Sequence, residues 1–353
     1  MDHRELGQQL KLFMFSPLSP GNPIWLPNGL ALLNVLQDKI RRFQQKNGYI
    51  EVRTPVLWKP ELYQTSGHWD HYRQNMFTIE GERPDMSTDD TALALKPMNC
   101  PGHMMIYKSG QYSYNELPLR MADMGVLHRN ETSGAIGGLT RCRSFCQDDA
   151  HIFCAPEQVE SEITKLVGMV LRVYAIFGMP VRAVVATRPK KFMGDPQVWD
   201  KAEWELKKGV GPASCTVDEG GGAFYGPKID FYVQDSQGRE WQTATIQLDF
   251  QLPERFELEY IDKDNTRKRP VVIHRAIFGS FERFVGVLIE HYQGKFPCWL
   301  APIQAILLPI ADRHLARRSS RSISTAVACV LSWTRATTRS TRRSSWPSSS
   351  ASP

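Results

Sequence analysis

Residues 127–151, LHRNETSGAIGGLTRCRSFCQDDAH, constrain the fold more than any other part of the chain. Read at the two-residue period of a strand, Arg141, Arg143, Phe145, Gln147, Asp149 and His151 share one face, while Cys142, Ser144, Cys146, Asp148 and Ala150 share the other. Upstream, Arg129 and Glu131 share a parity, and residues 132–138 are short enough for an antiparallel return. The expectation is a strand pair that floors a site. Guanidiniums beside a flat aromatic, an amide, a carboxylate and an imidazole suit an anionic, planar-ringed ligand such as ATP together with a small zwitterion. An exposed strand face laced with ion pairs would give the same alternation.

The rest of the chain reads as α+β. A helix is expected to open at Asn28-Gly29, bury Leu32, Val35, Leu36, Ile40 and Phe43, and close at Asn47-Gly48. A short strand at 49–52 follows, ended by Pro55, and this helix and strand either pack against a copy of themselves or belong to one core. Residues 60–80 are aromatic-rich, and 81–90 form a polar loop. A second amphipathic helix spans 156–178, strands follow at 181–186, 224–233, 241–250 and 270–276, and Gly279-Ser280 turns into a last helix with Arg283 in its first turn. Helices interleave irregularly with strands, so the pattern predicts an antiparallel sheet flanked by helices rather than a doubly wound fold. Neither a Walker sequence nor a GxGxxG after a strand is present, so any nucleotide would be held without those phosphate loops.

Charge and cysteines narrow the partners. Of the net +6, eight arginines fall in residues 313–353 with no lysine or acid among them, leaving residues 1–312 at −2. Bulk charge therefore gives no argument for nucleic acid binding by the main body. Seven cysteines without framework spacing point to a reducing compartment, residues 1–10 are polar, and no apolar run reaches membrane-spanning length, so a cytoplasmic protein is expected. Cys100, just ahead of a helix start at Pro101, reads as a metal ligand or nucleophile, or as a structural thiol. His103 reads as an ordinary polar helix residue, with a metal ligand as the alternative. From Arg317 onward Arg, Ser and Thr dominate, and the tail reads as disordered and out of frame.

Four segments taken together, LHRNE (127–131), KPMNCPGH (96–103), QDDAH (147–151) and HRAIFGS (274–280), resemble the catalytic core of the threonyl-tRNA synthetases. SGHWD (66–70), GAFYGPK (222–228) and QLDF (247–250) extend the resemblance, which runs from Asp2 to about Ile310. It implies the class II aminoacyl-tRNA synthetase catalytic domain over 1–300, with class motifs at 45–55, 127–147 and 279–284. A remnant start of an anticodon-binding domain and the tail would occupy 301–353.

It also implies a site. One zinc ion per chain would sit on Cys100, His151 and His274 with a fourth position open. The rival cluster Cys142, Cys146, His151 and Cys154 fails on parity. Arg129, Arg283 and Lys228 would serve catalysis, and ATP with magnesium would meet Arg129, Glu131, Arg141, Phe145, Gln242, Ser280 and Arg283. Threonine would meet Met98, Arg129, Gln147, Asp149, Tyr225 and Gln247. A homodimer built on residues 29–55 is implied, as is tRNA(Thr) as a partner. The sequence departs from the family at Thr243, where cysteine is usual, at Ser144, and in lacking the amino-terminal editing modules. Activation without efficient tRNA charging is the expectation, and a synthetase-like binding or regulatory protein is the alternative.

Overall fold

The computed structural model describes residues 1–80, 92–210, 215–307 and 331–333. The loop expected at 81–90, Cys329 and nearly all of the Arg/Ser-rich tail lie outside the described residues.

The first long helix, α1 (Pro27–Lys46), starts on a proline whose missing amide costs nothing at that position and buries Leu32, Leu36 and Ile40. It ends at Asn47, and Gly48 takes φ +76°, as the Asn-Gly pair leads one to expect. The next elements are β1 (Ile50–Glu51), α2 (Cys100–Lys108), β2 (Leu119–Asp123), β3 (Val126–His128), β4 (Ser144–Cys146) and β5 (Asp149–Cys154). After α3 (Val159–Phe177) and its left-handed Gly178 cap come β6 (Val181–Ala186), α4 (Pro196–Val210), β7 (Cys215–Asp218), β8 (Lys228–Gln234), β9 (Glu240–Asp249), β10 (Val271–Ala276) and α5 (Phe281–Tyr292).

Eight strands form the main sheet in the order β7-β6-β8-β9-β10-β5-β2-β1. The six central strands pair antiparallel, as expected. Both edges depart from expectation, because β7 joins β6 and β1 joins β2 in parallel. The chain reaches each of these edges through a helical crossover, α4 on one side and a connection containing α2 on the other, and such a crossover returns a strand in the same direction.

One sheet face packs Ile152, Ile246, Leu248 and Ile273 with Leu36 of α1, Val170 of α3 and Phe284 and Leu288 of α5. On the opposite face α2 covers part of the sheet through Met104 and Tyr107 against Phe153 and Val272, leaving the polar residues of β5, β9 and β10 beside it.

The strand expected at 141–151 is two strands. β4 pairs with β3 as a separate ribbon, Leu127 opposite Phe145, and β5 enters the main sheet. The break falls at Asp148, which turns inward to accept from the amides of Ile277 and Phe278, both at 2.9 Å. The return between β3 and β4 is also longer than expected, running over 129–143 through short turns at Ser133–Ala135 and Gly138–Thr140. Ala305–Leu307 forms a short strand that pairs in parallel with Leu331–Trp333.

Candidate functional site

The polar face of the sheet carries a cavity of about 430 Å³. Met98 and Cys100 at the start of α2, Arg129 after β3, Gln147, Asp149 and His151 around β5, Tyr225 and Lys228 before and on β8, Gln247 on β9 and His274 on β10 all line it. A second cavity of about 200 Å³ is lined by Arg129, Glu131, Arg141, Phe145, Gln147, Gln242, Ser280 and Arg283. Arg129 and Gln147 line both, so the two spaces meet at a guanidinium and an amide. The strand register explains the convergence: His151 lies opposite His274, and His274 opposite Gln247, across three neighbouring strands.

Cys100, His151 and His274 bring their ligand atoms within 4.8 Å of one another, all buried. His151 Nε2 is 2.9 Å from His274 Nδ1, and His274 Nε2 is 2.8 Å from Asp249 Oδ2, so the carboxylate sets the orientation of the His274 ring. A thiol and two imidazoles with a carboxylate behind one of them suit zinc. The rival cysteine cluster does not assemble: Cys142 donates to Gly138 O and Cys146 to Met124 O. The helix start favours a thiolate at Cys100, but its surroundings outweigh that pull. Burial, followed by the Asp149 and Asp249 carboxylates, pushes that thiol well above its ordinary pKa.

Around the triad, Asp149 accepts from Asn99 Nδ2 at 3.1 Å, and burial raises its carboxyl to about 6 against the pull of His274 and Asn99. The Tyr225 hydroxyl donates to Gln247 Oε1 at 3.0 Å. In the second cavity the Arg129 guanidinium stands 5.0 Å from the centre of the Phe145 ring, and Arg141 pairs with Glu131 at 3.2 Å. Arg283 donates to the carbonyls of Thr140 and Gln242, and Ser280 caps α5 by accepting from the Arg283 amide at 3.1 Å.

Several placements correct the sequence reading. Arg143 lines neither cavity; it donates to the carbonyls of Glu131 and Pro20, because the chain is not yet a strand there. Cys142, assigned by parity to the far face, lines the second cavity for the same reason. Lys228 lines the first cavity, with its ammonium 2.6 Å from Asp230. His103 is no ordinary helix residue: it is fully buried with Nδ1 2.8 Å from His151 Nδ1. His68 and Asn99 had no role assigned from the sequence, although both fall inside the segments that carry the resemblance. His68 lines the first cavity, bonds Ser66 Oγ at 2.8 Å, and is held down to about 3 by burial and then by neighbouring His274 and Arg129.

Behind Phe145, the carboxyl of Glu282 accepts from the Cys146 amide at 3.0 Å, and burial raises its pKa to about 7. A raised folded pKa means that folding retains a proton, so stability falls as pH rises from 4.5 to about 7. The contribution is about 3 kcal/mol at roughly 1.4 kcal/mol per pH unit. Glu282→Gln is expected to flatten that slope in urea melts between pH 5 and pH 8 and to stabilise the chain at pH 8; an unchanged slope would show that Glu282 is ionised throughout.

Residues 77–292 match the family model for the tRNA synthetase class II core domain (G, H, P, S and T). The chain is 52% identical over 320 residues to the threonine-tRNA ligase of Anaeromyxobacter dehalogenans, covering 89% of this chain and 49% of that protein. It is 51% identical over 316 residues to threonine-tRNA ligase 2 of Bacillus subtilis, covering 89% and 48%. The chain thus spans about half the length of the curated relatives it matches. Among solved structures, the RNA binding domain of threonyl-tRNA synthetase from Cryptosporidium parvum superposes with a TM-score of 0.86 at 43% identity, covering 95% of this chain and 83% of that one. The putative threonyl-tRNA synthetase ThrRS-1 of Aeropyrum pernix gives 0.75 at 31%, covering 87% and 72%.

Proposed function

The chain belongs to the threonyl-tRNA synthetases of class II, and from that premise we propose that its two cavities activate threonine with ATP to threonyl-adenylate. The observation that carries the reading is the junction: a Cys-His-His triad in one cavity and a cation-rich second cavity share Arg129 and Gln147. That junction supports Arg129 as the group that meets a carboxylate on one side and the α-phosphate on the other.

In this reading the threonine carboxylate attacks the α-phosphorus, the bond to the bridging oxygen breaks, and magnesium pyrophosphate leaves. No side chain need take a proton, because a carboxylate is already a nucleophile. Arg129 stabilises charge gathering on the α-phosphoryl, and Arg141 meets the outer phosphates. Phe145 and Arg283 take the adenine faces, Glu131 its amine, and Gln242 and Ser280 complete the ATP contacts. Asp149 accepts from the threonine hydroxyl, while Gln147, Tyr225 and Gln247 surround the amino end, with Met98 at the wall. Zinc on Cys100, His151 and His274, when bound, supplies a Lewis acid that suits an adjacent amine and hydroxyl and has nothing to offer the methyl of valine. Lys228, paired with Asp230 on the first cavity, serves by holding that wall.

We extend the reading to a homodimer, to tRNA(Thr) as the acceptor and to the cytoplasm as the place of work. β1 lies at a sheet edge, and Ile24, Leu30, Ile50 and Val126 on or near α1, β1 and β3 are exposed apolar residues. Exposed apolar side chains beside an open sheet edge support pairing with a second copy. No helix among the described residues is long and apolar enough to cross a membrane.

ATP–pyrophosphate exchange tests activation directly. Threonine should support it, serine about 10–200-fold less, since only a methyl is lost, and valine still less for want of the hydroxyl. ATP binding without threonine-dependent exchange would make the chain a synthetase-like binding protein instead. Sedimentation should give twice the chain mass; a monomer with normal exchange would remove the dimer from the proposal.

A further inference from the structure

We propose that His103 is a positioning residue of the metal site, accepting the Nδ1 proton of His151 and so fixing which nitrogen His151 offers to the metal. This rests on the zinc reading above. His151 lies between two imidazoles: its Nε2 is 2.9 Å from His274 Nδ1, and its Nδ1 is 2.8 Å from His103 Nδ1. His103 follows Cys100 by three residues, about one turn of α2, so one helix supplies both a ligand atom and the group behind a second ligand.

The proton count then follows from bonding alone. A ring nitrogen that ligates a metal carries no proton, so His151 coordinated through Nε2 carries its proton on Nδ1. His103 Nδ1, at hydrogen-bond distance, must accept that proton and be bare itself. The proton of neutral His103 therefore sits on Nε2. That atom has no hydrogen-bond partner among the described residues and faces Asp123 Oδ2 at 3.9 Å, an acceptor side rather than a donor side. Asp123 is fixed in turn by the Thr54 amide at 3.0 Å, the Thr54 hydroxyl at 2.7 Å and the Lys96 ammonium at 3.4 Å.

Lys96, Asp123, His103 and His151 are each no more than 1% exposed, so bulk water does not compete for these contacts. Two glycines let the backbone close directly on the chain of groups. A Cβ on Gly102 would lie 2.7 Å from Thr54 Cγ2, and one on Gly125 would lie 2.5 Å from Lys96 Nζ. The arrangement parallels the one behind the other imidazole ligand, where Asp249 holds His274. Each imidazole ligand of the triad thus has its second nitrogen occupied by a buried partner, which is the condition for a ring held in one tautomer and one orientation.

The test is zinc affinity, measured by competition with a chromophoric chelator, on the wild-type chain, His103→Leu and His103→Gln. The wild-type chain should bind one zinc, His103→Leu should bind it about 10–100-fold more weakly, and His103→Gln, whose carbonyl oxygen can still accept from His151, should recover most of the loss. A second readout needs no variant: ¹H–¹⁵N spectra of the zinc-loaded wild type should show His103 as the Nε2–H tautomer. Wild-type protein that binds no zinc would overturn the metal reading itself. Zinc bound by the wild type and held within twofold as tightly by folded His103→Leu, or His103 found protonated at Nδ1, would overturn the inference and leave the metal reading standing.

Discussion

A chain carrying Cys100→Ala together with His274→Ala is expected to hold no stoichiometric zinc and to lose threonine-dependent ATP–pyrophosphate exchange by about 10⁴-fold. Two of the three clustered donors are then gone, and His151 alone, backed by His103, cannot hold a metal against water. The size of the effect follows from what remains. Asn99, Asp149, Tyr225 and Gln247 stay hydrogen-bonded around a cavity that has lost the group able to read an amine and a hydroxyl together, and buried polar groups left unmatched by a ligand carry the largest discrimination. The second cavity includes neither substituted residue, so ATP binding should persist and serves as the control for folding. Elemental analysis and exchange on one preparation decide the matter. Full zinc in the double variant would refute the ligand assignment, and full exchange without zinc would refute its role in reading threonine.

The sequence exposes this site to the extent that local period and side-chain chemistry determine it. His151 and Asp149 share a parity on β5, Gln247 and Asp249 on β9, and the register of the sheet carries both pairs to one face. What stays hidden is settled by contacts between residues far apart in the chain. The turn at Asp148 that breaks 141–151 into two strands exists because two amides of the segment 277–278 need an acceptor, a demand made 129 and 130 residues away. Cys142 and Arg143 precede the start of β4 at Ser144, so parity does not apply to them, and both end on sides that simple alternation does not predict. His103 stays hidden for a related reason. A lone histidine in a helix looks solvent-facing, and only the packing of α2 against β2 and β5 shows that it sits between His151 and the buried Asp123 carboxylate. The parallel edges likewise require knowing where each crossover lands, which a list of elements in order does not specify.

Replacing Asp148 by alanine is expected to cost about 3–5 kcal/mol, a large share of the roughly 5–15 kcal/mol that holds a domain together. Arg275, 2% exposed, donates through Nη1 to the Asp148 carbonyl at 2.6 Å and approaches its Oδ2 at 3.4 Å. The guanidinium lies 4.5 Å from the centre of the Tyr49 ring, and Gln44 of α1 turns its amide oxygen to accept from Nη2 and Nη1 at 3.0 and 3.2 Å. Asp148→Ala removes the buried carboxyl that faces this cation and strips the acceptor from two amides of the loop that leads to Ser280 and Arg283. Arg275→Met is expected to cost less at pH 6. The carboxyl left behind can take a proton, since burial already raises Asp148 to about 7 even with Arg275 and the two amides pulling the other way. The sign of the pH dependence separates the two variants. In the wild type this carboxyl lowers stability as pH rises from 3.8 to about 7 and adds no further change above that. Without Arg275 its folded pKa moves higher, so the fall continues beyond pH 7, and the gap between Arg275→Met and wild type widens between pH 7 and pH 8 by up to about 1.4 kcal/mol. Asp148→Ala has no such carboxyl and should show no widening. Urea melts at pH 6, 7 and 8 measure all three chains, and a finding that Arg275→Met is the costlier change at pH 6 would mean that the guanidinium, not the carboxylate, is the group this core can do without least.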